Sequence, residues 1–193
     1  MFKQSKTTIE NLRAMDSRAM KKQGIFKNGT GSYSWWDSDT KQLRSSVDYS
    51  YQDQQLTLSY RCNNESYRYV IHIEQTACNY GGTRSWFICP SQQCRKRVAK
   101  LYLSENGYFT CRHCNKANYA IQQMSDKDKP RYHMHKMRDK LGWSYNHVTF
   151  LKRITKPLNM HHKTFKAMVA KHDEYEKQFL KNFQAFIDKF ENM

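Results

Sequence analysis

The chain is poor in proline, glycine, acidic side chains and unbroken apolar runs, and each shortage excludes something. Three prolines and seven glycines in 193 residues rule out a linker-rich or low-complexity sequence. The longest apolar stretch, Tyr69–Ile73, is interrupted by His72 and falls far short of the roughly 20 residues that a spanning helix needs. Residues Met1–Lys22 contain Lys3, Lys6, Arg13, Arg18, Lys21 and Lys22 but no apolar segment. No secretory signal is expected there, so the expected compartment is the cytoplasm. Thiols stay reduced in that compartment, and six cysteines then point to metal rather than to disulfides.

Acidic groups are the most telling shortage. Seventeen Asp and Glu stand against 33 Lys and Arg, a formal charge of +16. Such an excess points to a polyanionic partner, nucleic acid ahead of an anionic membrane surface. Neither a membrane partner nor a small-molecule substrate is expected. Only 38% of residues are hydrophobic, so the core is thin, and 13 Tyr, 10 Phe and 4 Trp supply much of it. That aromatic content argues against wholesale disorder.

The charge is unevenly placed. Residues 1–30 hold seven basic and two acidic groups, and residues 31–83 hold four and six. Residues 84–118 hold seven basic groups and a single acid, Glu105; residues 119–193 hold fifteen and eight. The pattern period changes in step. Ile9, Leu12, Met15 and Ala19 recur at three to four residues, which predicts an amphipathic helix over Thr7–Lys22, ended by a turn at Asn28–Gly31.

Period two follows. Leu56, Leu58 and Tyr60 form one alternating run, and Tyr67, Tyr69, Ile71 and Ile73 form another, with Asn63-Asn64 as the turn between them. Ser34–Asp37, Val47–Tyr51 and Ser85–Ile88 are further predicted strands. They make a small antiparallel sheet with one wet face. Helical spacing returns after Cys114. One helix is predicted over Pro130–Lys140, closed by Gly142, and a long one from Met160 onward. Along the long helix Phe165, His172, Phe179 and Phe186 lie seven apart, close to a coiled-coil seam.

The fold class expected is α+β: a small antiparallel β-sheet domain with a four-cysteine zinc-ribbon hairpin and a helical C-terminal extension. Residues 1–30 read as an N-terminal helix and arm, 31–88 as the β domain, 84–118 as the ribbon and 119–193 as the helical region.

The ribbon rests on Cys89-Pro-Ser-Gln-Gln-Cys94 and Cys111-Arg-His-Cys114, sixteen residues apart. Two close thiolate pairs on adjacent turns are the usual way to offer Zn²⁺ four tetrahedral ligands. Between them, Val98–Leu103 and Tyr108–Thr110 are strand-like around Ser104-Glu-Asn-Gly107, whose Asn-Gly is a hairpin signal. Cys89, Cys94, Cys111 and Cys114 are therefore the expected ligands of a structural zinc ion. The competing reading is four unrelated cysteines, or a redox pair at Cys111 and Cys114. His113, inside the tight pair, is expected to point outward. Cys62 and Cys78 are expected to be small buried residues.

Arg84, Arg95, Lys96, Arg97, Lys100, Arg112 and Lys116 surround this motif. One reading is that they offset the charge of four thiolates; the other is that the hairpin lies against phosphates. Tyr102, Tyr108 and Phe109 either stack on bases or pack the ribbon onto the sheet. Lys163 and Lys166 on the long helix are further candidate phosphate contacts.

The run Gly81–Pro90 resembles a family of bacterial zinc-ribbon proteins found in prophages and other integrated mobile elements. Arg97–Leu103, Phe109–Cys114 and the later Lys156-Pro157, Met160, Thr164 and Phe165 share in that resemblance. The resemblance spans roughly residues 30–170. It implies a metal ribbon and a mobile-element setting, and no activity. Members usually carry glycine where this chain has Arg95, and Gly142–Thr155 is longer and more aromatic here.

Three functions remain from the sequence. The leading one is a non-catalytic nucleic-acid-binding protein, DNA favoured, with Pro130–Leu141 and His161–Lys171 as a loose helix-turn-helix-like pair. The second is an interaction module or inhibitor of a host or phage complex, acting as a protein-binding or homodimer surface through Phe179, Phe183, Phe186 and Phe190. The third is a Mg²⁺-dependent nuclease built on Asp37 and Asp39. No convergent catalytic set is evident. Gly29-x-Gly31 lacks the third glycine of a phosphate loop; His133, His135, His161 and His162 are expected at the surface, and His172 in the apolar stripe.

Overall fold

The computed structural model describes residues 7–37, 39–143 and 155–191. The chain divides into two units, Met1–Ala120 and Ile121–Met193.

The first unit opens on a short 3-10 turn, Ile9–Asn11, then strand β1 (Ala14–Asp16) and helix α1 (Ser17–Lys22). The helix predicted over Thr7–Lys22 is thus confined to its last six residues. Ala14, Met15 and Asp16 pair antiparallel with Tyr102, Leu101 and Lys100, and a strand partner satisfies backbone groups that a helix would have satisfied internally. Asp16 ends the strand and starts the helix, because its carboxylate accepts the Arg18 N–H as an N-cap. Within residues 7–30, Ala14–Asp16 and the chain from Gly29 onward are strands, and Met15, Met20 and Ile25 belong to the core.

Six strands follow as an antiparallel meander: β2 (Gly29–Trp36), β3 (Leu43–Gln52), β4 (Gln55–Cys62), β5 (Glu65–Ala77), β6 (Thr83–Ile88) and β7 (Arg97–Val98). Two-residue hairpins at Asp53-Gln54 and Asn63-Asn64 hold both central residues at positive φ, the turn that matches strand twist. The Asn28–Gly31 turn is instead the start of β2. Gly31 faces Tyr49 across the pair, and the Tyr49 hydroxyl lies 2.7 Å from where a β-carbon would stand. Val47, Tyr51, Leu56, Leu58, Ile71, Ile73 and Phe87 are buried on one face, while Asp48, Ser50, Arg68, Val70 and His72 lie on the wet one.

After Val98 the chain changes sheets. Ala99 gives its carbonyl to the Ser17 N–H at 2.9 Å, and β8 (Lys100–Leu103) and β9 (Phe109–Thr110) complete a small sheet in the order β1-β8-β9. Both sheets feed one core, in which Met15, Met20, Phe87, Leu101 and Phe109 meet Cys89 and Cys111. Trp35 is stacked on Phe109 with 5.7 Å between ring centroids, and its indole N–H donates to the Ala14 carbonyl at 2.8 Å. The ribbon segment 84–118 therefore shares its core with 31–88, since neither has enough apolar area alone.

Helix α2 (Ala120–Gln123) precedes the second unit's two long helices, α3 (Lys129–Leu141) and α4 (His162–Glu191). Gly142 closes α3 at φ 66, with the Trp143 N–H returning to the Arg138 carbonyl at 3.0 Å, as a left-handed C-cap requires. The two helices pack on each other. His133 stacks on Tyr175 at 4.8 Å, and Asn182 donates to the Lys127 carbonyl at 3.1 Å. Residues 144–154 of the long connection lie outside the described residues. No described helix is long and apolar enough to cross a membrane.

Candidate metal centre and cationic surface

Each cysteine pair sits on a turn that follows a strand. Cys89 follows β6, and its N–H donates to the Lys96 carbonyl at 2.9 Å, closing a loop in which the Cys94 and Arg95 N–H groups both reach the Ser91 carbonyl. The tight return needs a left-handed residue, and Arg95 supplies it at φ 48. Glycine adopts that conformation freely, whereas Arg95 adopts it at a steric cost. Cys111 follows β9. Its turn closes through Asn115 N–H to the Cys111 carbonyl (3.1 Å) and Ala117 N–H to the Arg112 carbonyl (3.1 Å).

Asn115 braces this second turn, donating from Nδ2 to Thr110 Oγ1 at 2.8 Å and to the Tyr102 carbonyl at 3.1 Å. It was not singled out from the sequence. Its place directly after the C-x-x-C pair is the only signal that would have marked it.

The turns bring four sulfurs together. Sγ of Cys89 is 3.8 Å from that of Cys114, and Sγ of Cys111 is 3.7 Å from those of Cys94 and Cys114. All four lie within 4.8 Å of one another. A tetrahedron of thiolates with Zn–S bonds of ~2.3 Å has edges of ~3.8 Å, whereas a disulfide requires ~2 Å. The donor set and its spacing fit a tetrahedral metal ion. Cys89 and Cys111 are buried, and Cys94 and Cys114 lie on the outer side.

The thiols are not perturbed alike. Burial pushes the Cys89 thiol up, and burial first among several causes pushes Cys114 up to about 12. The Lys96 N–H holds Cys94 below its ordinary value. A metal ion binds the thiolate forms, so raised thiols would make its affinity fall as pH falls. His113, between Cys111 and Cys114, is exposed. Cys62 and Cys78 are not the buried residues expected: Cys62 is half-buried at the end of β4, and Cys78 is exposed in the β5–β6 loop. Both sit at hairpin ends, where little covers them.

The basic side chains fall into two groups. Arg97 pairs with Glu74, Lys100 lies 3.6 Å from Asp16, and Arg112 donates to the Ala117 carbonyl and lies over Tyr119. Arg84 lies on the Trp86 indole, 3.8 Å from its centroid. Arg95, Lys96 and Lys116 are exposed beside the cysteine turns, and none forms an ion pair among the described residues. Lys163 and Lys166 are exposed on α4 in the other unit. Of the three candidate stacking rings, Tyr102 and Phe109 are buried and Tyr108 is exposed against Tyr67 and Tyr69.

Asp37 has a structural partnership. Its carboxylate accepts the N–H groups of Asp39 and Thr40 at 3.0 Å and pairs with Arg44, an Asx-type turn. In the second unit His172, Asp173 and Glu176 come together. There Arg138 donates to His172 Nε2 and to Glu176, each at 3.0 Å, so a guanidinium already compensates the acid. His172 is buried, as the apolar stripe implied, while His133 and His135 are half-buried rather than on the surface, His133 because Tyr175 of α4 stacks on it. Phe179 is half-buried, Phe183 and Phe186 are exposed, and the side chain of Phe190 lies outside the described residues.

No protein-family model, curated protein or solved structure matches the chain. The likeness to mobile-element ribbon proteins rests on its motif residues alone.

Proposed function

We propose that the chain is a zinc-ribbon nucleic-acid-binding protein, with duplex DNA as the favoured partner and Zn²⁺ as a structural ion. One observation carries the reading. Four sulfurs at tetrahedral edge length sit inside a stretch with seven basic groups and one acid, and Arg95, Lys96 and Lys116 project there with no acidic partner. The metal's work is to hold two turns rigid, since four protein ligands leave no open position for substrate. The turns then present cations to phosphates with no backbone left to order at binding. The preference for a nucleic-acid partner rests on the excess of basic side chains, and the mobile-element setting on the motif likeness alone.

A mobility shift on metal-verified protein, titrated with salt against duplex DNA, single-stranded DNA and RNA, tests the reading. The logarithm of affinity falls linearly with the logarithm of salt concentration if phosphates carry binding. Affinity unchanged from low to moderate salt defeats it, and turnover of the probe with added Mg²⁺ would favour the nuclease reading instead.

A second reading has its own support. Leu180, Phe183 and Phe186 of α4 are 56%, 51% and 55% exposed, a costly display unless a protein partner or second copy covers it. Glutamine at Phe183 and Phe186 would lower the oligomeric mass in light scattering if the helix is a seam between copies.

A further inference from the structure

A second cationic feature lies away from the cysteine turns, where α1 meets β6. A cleft of about 650 Å³ is lined by Arg18, Lys21, Lys22, Thr83, Arg84 and Ser85, with Cys78 at its margin. Four of these side chains are cations, and no carboxylate lines the cleft. Strand β7 pairs only with Phe87 and Ile88, so the outer edge of β6 from Thr83 to Trp86 has no strand partner. The cleft lies along that edge.

Its cations are held in place. Lys21 Nζ donates to the Thr83 carbonyl and to Thr83 Oγ1, the latter at 2.7 Å. Arg84 lines the edge of the cleft, with its guanidinium over Trp86, 3.8 Å from the ring centroid, on the face of β6 opposite Ser85. Asp16 grips Arg18 through Nε and Nη2 and offsets one of the four charges. Lys22 is exposed and forms no ion pair among the described residues. At the floor, Ser85 is 2% exposed and its hydroxyl has no hydrogen-bond partner among the described residues. A buried hydroxyl left unpaired is costly, and Ser85 is the one lining residue in that state.

We infer that this cleft is a phosphate-binding site that takes a backbone phosphate of nucleic acid, at a place separate from the cysteine turns. The nucleic-acid source of the phosphate rests on the function proposed above; the oxyanion chemistry does not. Trp86 joins the two surfaces, because Arg84 lies over its ring and Arg97, beside the first cysteine turn, reaches the same ring at 5.6 Å. A backbone following β6 would meet the cleft and the ribbon in succession.

The test uses the full metal-loaded chain and two probes. Inorganic pyrophosphate is titrated while amide resonances are followed, and duplex DNA binding is measured across a salt series. The variant is Lys22→Gln with Arg84→Gln, both exposed side chains, checked for unchanged metal content and melting. Saturable pyrophosphate shifts at residues 21–22 and 83–85, abolished in the variant, are expected. The salt slope should become shallower by about 0.9, the contribution of the one backbone phosphate the cleft takes.

Wild-type binding with an unchanged slope in the variant overturns the cleft as a backbone contact and leaves the ribbon reading standing. Failure of the wild type to bind any nucleic acid removes the function proposed above. In that case saturable pyrophosphate shifts uphold the phosphate site, and their absence, or equal shifts with sulfate at the same concentration, overturns it.

Discussion

The phenol of Tyr67 occupies the space above Gly107: a β-carbon on Gly107 would stand 2.2 Å from Tyr67 Cζ. Tyr60 donates to the Gly107 carbonyl at 2.6 Å, and Tyr67 donates to the Asn106 carbonyl at 3.2 Å. The tip of the ribbon hairpin is thereby fastened to β4 and β5, so the metal-bearing segment is not a freely projecting finger.

Gly107→Ala is expected to be among the most damaging small substitutions. Gly107 has φ +83, which costs an L-residue ~1–2 kcal/mol, and displacing a packed ring adds ~1–3 kcal/mol. Urea unfolding of zinc-loaded protein should show a loss of roughly 2–5 kcal/mol. A loss under about 0.5 kcal/mol would mean that Tyr67 does not pin the turn.

Metal removal should act on one unit only. Native protein is expected to contain one zinc per chain, and Cys111→Ser none, because Cys111 is 1% exposed inside the core and no neighbouring group replaces it. A strong chelator should abolish the near-ultraviolet signal of the stacked Trp35 and Phe109 while the helical signal of α3 and α4 persists. Loss of both signals together would show that the units do not fold independently.

Arg95→Gly separates the fold of the first cysteine turn from its charge. Glycine accepts φ 48 without strain, so metal content should be kept and stability should not fall. One phosphate contact should vanish, making the salt slope of DNA binding shallower by about 0.9. Arg95→Asp keeps the strain and reverses the charge, and should weaken binding further.

Asp37 is held at about 2, first by the Thr40 and Asp39 N–H groups and then by Arg44, against an ordinary value of 3.8. A depressed carboxylate stabilises the fold fully above its unfolded value. That contribution is lost as pH falls through the folded one. The stability gap between wild type and Asp37→Asn should therefore be constant above about pH 5 and close between roughly pH 4 and 2. Measuring it as a difference between the two proteins cancels the other titrating groups; a gap that widens on acidification would contradict the assignment.

Several features could be read from neighbours in the sequence because their causes are local. Strict alternation at Leu56–Tyr60 and Tyr67–Ile73 with Asn63-Asn64 between them specifies a hairpin, as one slipped residue would turn the apolar set to water. Gly142 ends α3 because it can be left-handed. The cysteine pairs announce themselves, since a turn of fixed size must hold each one.

Other features depend on partners far along the chain. Met15 has helical spacing from Ile9 and Leu12, yet it lies in a strand because Leu101, 86 positions later, pairs with it. Nothing adjacent to Tyr102, Tyr108 and Phe109 says which two enter the core; Trp35 and the β1 strand settle that. The α1–β6 cleft likewise unites Lys21 and Thr83 across 62 residues. Backbone geometry and capping act within a few residues, so they are written in order along the chain. Burial is a competition for a thin core, and its outcome exists only once all the competitors have been assembled.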